Sequence, residues 1–157
     1  MNKPINILDK DYLQWVCELC KRYRQSQVKA AIKVNTEMLK FYWGLGRDIV
    51  ALKAEVRWGS KFLANLSRDL KEQNPKSSCF SPTNLLYMKN FYRLYKGYDE
   101  ITPQLGEQIK KDIFSMPWGH HKLLIDKFLN EPQKALFYVH QTVLNGWSRS
   151  VLHNYKM

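Results

Sequence analysis

Four sets of residues have types and spacings that chemistry uses. Cys17-Glu18-Leu19-Cys20 is a C-x-x-C pair, the spacing of half a zinc site or of a redox dithiol. A structural zinc needs two further ligands, and Cys79 with the four histidines offers no second paired spacing. A thioredoxin-like pair wants a strand before it, whereas Leu13, Val16, Cys17 and Cys20 share one helical stripe. Two reduced thiols packed in a core are expected. Trp118-Gly119-His120-His121 sets two histidines side by side, but helical neighbours point about 100° apart, so one metal rarely takes both. Asp69-Leu70-Lys71 matches the tail of the D/E-x-K nuclease pattern by letter. It lies inside an amphipathic helix, with no strand and no upstream acidic ligand, and reads as coincidence.

The fourth set is basic and polar. Arg57, Lys61, Arg68, Lys71 and Lys76 suit phosphate neutralisation, and Thr83, Lys89, Asn90 and Arg93 share one arc of a helix with Leu86. Asn and Arg can pair bidentately with adenine and guanine edges, which is what the exposed side of a recognition helix supplies. The whole chain, 157 residues, carries 25 Lys and Arg against 14 Asp and Glu, a formal charge of +11. The excess is localised: residues 57–97 hold 8 basic and 2 acidic groups, whereas residues 98–157 hold 7 and 6. A solvated basic face without a partner would show the same composition.

Other chemistries lack their residues. There is no glycine-rich phosphate loop, no G-x-S-x-G elbow and no H-E-x-x-H pair, and His140 and His153 stand alone. The expectation is no catalytic residue, no metal and no cofactor: not an enzyme. No apolar run approaches the roughly 18 residues of a membrane span, and residues 1–10 lack the apolar core of a signal peptide. A cytoplasmic protein with no membrane partner is expected.

The elements that must position these residues are helices. A first helix opens near Asp9 or Asp11. A second pattern, over 28–56, places Val28, Ile32, Asn35, Leu39, Tyr42, Gly46, Ile49 and Val56 at the spacing of a buried face. Gly44 and Gly46 interrupt it and mark close packing, a kink, or a break into two helices. Near-heptad spacing here also suits pairing with another chain. Ser60 is the expected N-cap of a helix to Gln73 with Phe62, Leu63, Leu66 and Leu70 in one arc. Ser81-Pro82 is a strong helix start, with Leu85, Met88, Phe91, Tyr92 and Tyr95 on the apolar side. Residues 97–117 read as a loop with one short helix near 107–114. Helices follow over 118–129, from Pro132 to Leu144 with Gly146 closing it, and from Ser148 to the chain end at Met157.

From Asn35 onward the residues resemble the N-terminal domain of YhcG-type proteins. The matching blocks are Tyr42-Trp43, Gly46 and Ile49; Trp58-Gly59; Leu66-Ser67-Arg68-Asp69-Leu70; Phe80-Ser81; and Asn84-Leu85, Met88, Phe91-Tyr92 and Tyr95. They continue with Pro117-Trp118-Gly119-His120-His121, Phe137-Tyr138, Gly146-Trp147-Ser148-Arg149 and Leu152, in order over nearly the whole chain. The resemblance implies a helical DNA-binding module that, in family members, precedes a C-terminal PD-(D/E)XK nuclease domain. The carboxylates and Lys of that nuclease have no counterpart here, so its activity is not implied. Cys79, where the family pattern has Gly, and Asn74, where it has an aromatic before Pro75, depart from it. The Trp58-Gly59 and Trp118-Gly119 pairs are expected to be structural, with Trp as a buried anchor and Gly allowing a tight turn.

The expected fold is mainly α: one compact helical domain over 1–157, nuclease domain absent, containing a helix-turn-helix-like pair, with a winged-helix-like form as one option. The expected function is DNA binding; the alternative is a protein–protein interaction or oligomerisation module, pairing with itself or with a partner nuclease subunit.

Overall fold

A computed structural model describes residues 9–100 and 103–155. Most of the segment 1–10 and the chain end at Met157, both used above, lie outside them. Among the described residues there are eight α-helices and no strand: α1 (Lys10–Ala51), α2 (Ala54–Trp58), α3 (Phe62–Gln73), α4 (Pro82–Tyr95), α5 (Pro103–Ser115), α6 (Trp118–Phe128), α7 (Pro132–Asn145) and α8 (Arg149–Tyr155). The expected all-α class holds, and no strand is present among these residues to form the wing of the winged-helix option. No helix among the described residues is long and apolar enough to cross a membrane.

The described residues divide between Val34 and Asn35 into two compact units. In the first, the helix exposes its apolar side chains: Leu13, Leu19, Tyr23, Val28 and Ile32 are all exposed. Cys17 and Cys20 are exposed free thiols rather than core residues. The helical period there is legible in the sequence, but a stripe is buried only where another element covers it.

In the second unit the core gathers around α4. Leu85, Met88, Phe91 and Tyr95 are fully buried with Leu39 and Tyr42 of α1, Ile113 and Met116, Leu124 and Ile125 of α6, Val139 of α7 and Leu152 of α8. Leu39, Tyr42, Gly46 and Ile49 form the buried face of α1 in this unit, but Val56, expected on the same face, is 86% exposed. The reason is a break that falls elsewhere than at the glycines. Lys53 adopts a left-handed conformation (φ 49°) and redirects the chain into α2. Gly46 instead permits close approach, since a β-carbon there would overlap the backbone of Met88 in α4.

Other differences are local. Ser60 does not cap α3; Lys61 occupies that position without a side-chain hydrogen bond. The deepest residue of α3 is Ser67, while Leu63, Leu66 and Leu70 are half-buried. The short helix expected near 107–114 is present within a longer α5 of 13 residues, and part of the expected loop forms the 3-10 segment Lys96–Glu100. Trp58 is half-exposed and stacked on Phe62, with ring centroids 5.5 Å apart, so it is not a buried anchor. Gly59 does turn the chain at a positive φ of 92°. The starts of α4, α6 and α8 and the left-handed Gly146 after α7 agree with expectation.

Candidate nucleic-acid interface

The candidate interface is built on α3, the connection 74–81 and α4. Three hydrogen bonds hold that connection. Ser67 Oγ donates to the Phe80 carbonyl at 2.6 Å, tying α3 to the end of the turn. The backbone N–H of Asn84 donates to Ser81 Oγ at 3.1 Å, the N-cap that Ser-Pro promised. Asn84 Nδ2 donates to the Cys79 carbonyl at 2.7 Å, and its Oδ1 accepts from Trp118 Nε1 at 2.8 Å. One buried Asn thus joins the turn, α4 and α6. The position where Cys79 departs from the family pattern is held through its carbonyl, and Asn74 donates to the Leu70 carbonyl at 3.1 Å.

With Asn84, Leu85, Met88, Phe91, Leu94 and Tyr95 turned inward, α4 presents the remaining arc to solvent. At 100° per residue that arc, ~120° wide, runs from Lys89 through Arg93, Leu86 and Asn90 to Thr83. Thr83, Leu86 and Arg93 are exposed, and Lys89 and Asn90 partly so. Arg93 Nη1 donates to Asn90 Oδ1 at 3.3 Å, a weak bond that leaves both side chains on this face.

The phosphate-type residues sort into groups. Arg68 and Lys71 line a shallow hollow beside Pro82, at the start of α4. Arg68 Nε lies 3.3 Å from Asp69, an exposed pair that water and salt screen. Lys89 and Arg93 line a second hollow with Lys53, Glu55 and Val56. There the Lys89 ammonium is 2.5 Å from Glu55 Oε1, so it is engaged within the protein. Arg57 lies over the Trp58 ring, 5.2 Å from its centroid. Lys61 and Lys76 are exposed but line neither hollow. Lys53 was not foreseen: no glycine or proline marks its turn, so nothing in the local sequence distinguishes it.

The adjacent histidines are structural. His121 is fully buried, and its Nε2 lies 2.7 Å from the Ile113 carbonyl, which can only accept, so the proton sits on Nε2. Burial pushes its pKa down to about 4; the carbonyl bond opposes this, and neighbouring His120 adds to it. His120 makes the equivalent bond to the Trp147 carbonyl at 2.9 Å. Among the described residues no three His, Cys, Asp or Glu side chains are grouped to hold a metal ion.

A family model described as the DUF1016 N-terminal domain matches residues 18–156. No curated protein and no solved structure matches the chain.

Proposed function

The chain belongs to the DUF1016 N-terminal domain family, the YhcG-type family its residues resemble, and from that premise we propose that it is a non-enzymatic DNA-binding module. The family match is to an N-terminal domain alone, which is consistent with association with a nuclease. One observation carries the reading: the solvent face of α4 holds Thr83, Asn90 and Arg93, and Arg68 and Lys71 flank its start. In this reading α3 and α4 are a helix-turn-helix-like pair with α4 as the groove-reading helix. Arg57, Lys61, Arg68, Lys71 and Lys76 contact phosphates, while Thr83, Lys89, Asn90 and Arg93 face base edges.

A fluorescence-anisotropy titration with duplex DNA tests this. Phosphate contacts release counterions, so log affinity is expected to fall linearly with log salt, with a slope of roughly −0.9 per contact. Arg68→Ala/Lys71→Ala should lower affinity on every sequence and flatten that slope. Asn90→Ala/Arg93→Ala should erase discrimination between sequences. A wild-type affinity that does not respond to salt ends the proposal.

A further inference from the structure

The first structural unit carries an interface of its own. Among residues 9–34, the side chains of Tyr12, Val16, Leu19, Tyr23, Ala30 and Val34 fall within a ~60° stripe of the helix, on 100° per residue. No charged residue lies within it. The 4-3-4 steps from Tyr12 to Tyr23 follow a heptad seam, and the later steps of 7 and 4 keep Ala30 and Val34 on the same face. Leu19, Tyr23 and Val34 are exposed, Tyr23 and Val34 by more than 60%. An apolar stripe open to water gains stability when another surface covers it.

Charge says what covers it. Beside the stripe, residues 9–20 hold Asp9, Asp11 and Glu18 with Lys10 as the one cation, whereas residues 21–34 hold Lys21, Arg22, Arg24, Lys29 and Lys33 and no acid. Asp11, Glu18, Arg22 and Lys29 follow one another along the same flank, on the same 100° reckoning. In an antiparallel pair like flanks meet, and reversal about Lys21 brings Asp11 of one copy within two residues of the level of Lys29 of the other, and Glu18 within two of Arg22. Reversal about Lys21 also sets Tyr12 level with Ala30 and Leu19 level with Tyr23, large against small and aliphatic against aromatic. A parallel pair would stack the basic halves on each other. We infer that this stripe pairs antiparallel with a second copy of the chain, through a two-fold axis near Lys21. The inference is independent of DNA binding, which uses other residues.

Light scattering coupled to size exclusion, with the full chain at several concentrations, tests it. The expected mass is twice the 18.7 kDa of one chain. Leu19→Asp/Tyr23→Asp should return the single-chain mass while the melting temperature of the α4-centred core stays unchanged. Reversing half the flank, Asp11→Lys/Glu18→Lys, should raise the dimer dissociation constant about tenfold at low salt. Reversing all of it, Asp11→Lys/Glu18→Lys/Arg22→Glu/Lys29→Glu, should restore the wild-type value. A single-chain mass for the wild type at every concentration overturns the proposal, as does a dimer that survives Leu19→Asp/Tyr23→Asp. A full reversal that stays as weak as the half reversal overturns the antiparallel arrangement.

Discussion

His121 and Glu55 show how single groups set behaviour that neither composition nor period discloses. The His121 ring packs against Phe91 and Tyr95, with centroids 4.7 and 5.8 Å away, and the fold holds only its neutral form. Its folded pKa of about 4 lies below the ordinary value of 6.5. As pH falls the unfolded chain therefore takes up the proton first. Stability from this group is complete above about pH 7 and is lost as pH falls from 6.5 towards 4, by about 3 kcal/mol in all. His121→Gln, which keeps a donor for the Ile113 carbonyl, should flatten the melting-temperature profile over that window; parallel profiles would mean other groups cause the loss. Glu55 bears instead on the proposed DNA contact. Its carboxylate occupies the Lys89 ammonium, whose side chain is only 18% exposed. The pair is worth at most about 1 kcal/mol, so Glu55→Gln leaves the fold intact. If Lys89 reaches DNA, that change should tighten binding several-fold and steepen the salt slope by about one. Unchanged binding would remove Lys89 from the interface.

At the scale of elements, two glycines in the same helix behave oppositely because their neighbours differ. Gly46 faces the Met88 backbone, and a methyl group there must push α1 away from α4. Gly46→Ala should destabilise by about 1–3 kcal/mol, as overpacking does. Gly44 has open space where a methyl group would stand, with nothing within 4 Å, so Gly44→Ala should stabilise by up to about 1 kcal/mol from helix propensity. Urea denaturation of the two variants measures both; a Gly46→Ala midpoint at or above wild type would contradict the close contact. The same contrast explains what is legible in the sequence. The starts of α4 and α8 can be read because Ser81 and Ser148 cap them, each accepting a backbone N–H. The end of α1 cannot, because Lys53 turns the chain without the glycine that usually signals a left-handed residue. The apolar arc of α3 is visible, yet its deepest residue is Ser67, buried to satisfy the Phe80 carbonyl. A tertiary hydrogen bond of that kind leaves no mark on local sequence. Of the nine candidate contact residues, the α4 set lies on one face as its period requires, but the Lys89–Glu55 pair joins residues 34 apart and stays hidden.

Across the whole molecule the charge of +11 acts either as a diffuse field or as a local surface, and the two predict different mutants. A diffuse field depends on the total, so removing any two exposed cations should weaken DNA binding alike. A local surface depends on place. Residues 57–97 carry a net +6 on and around α3 and α4, whereas residues 98–157 carry a net +1. Lys61 and Lys76 are exposed in the first segment, and Lys111 and Lys127 are exposed in the second. Lys61→Gln/Lys76→Gln and Lys111→Gln/Lys127→Gln both lower the formal charge to about +9, by the same count of two. With a local interface only the first pair changes the dependence of log affinity on log salt, flattening it by roughly two contacts' worth, ~1.8 in slope. The second pair should leave the slope at its wild-type value and shift affinity only slightly, because charges beyond a Debye length of about 8 Å are screened at physiological salt. Equal losses from both pairs would mean that the excess charge attracts nucleic acid without a surface dedicated to it.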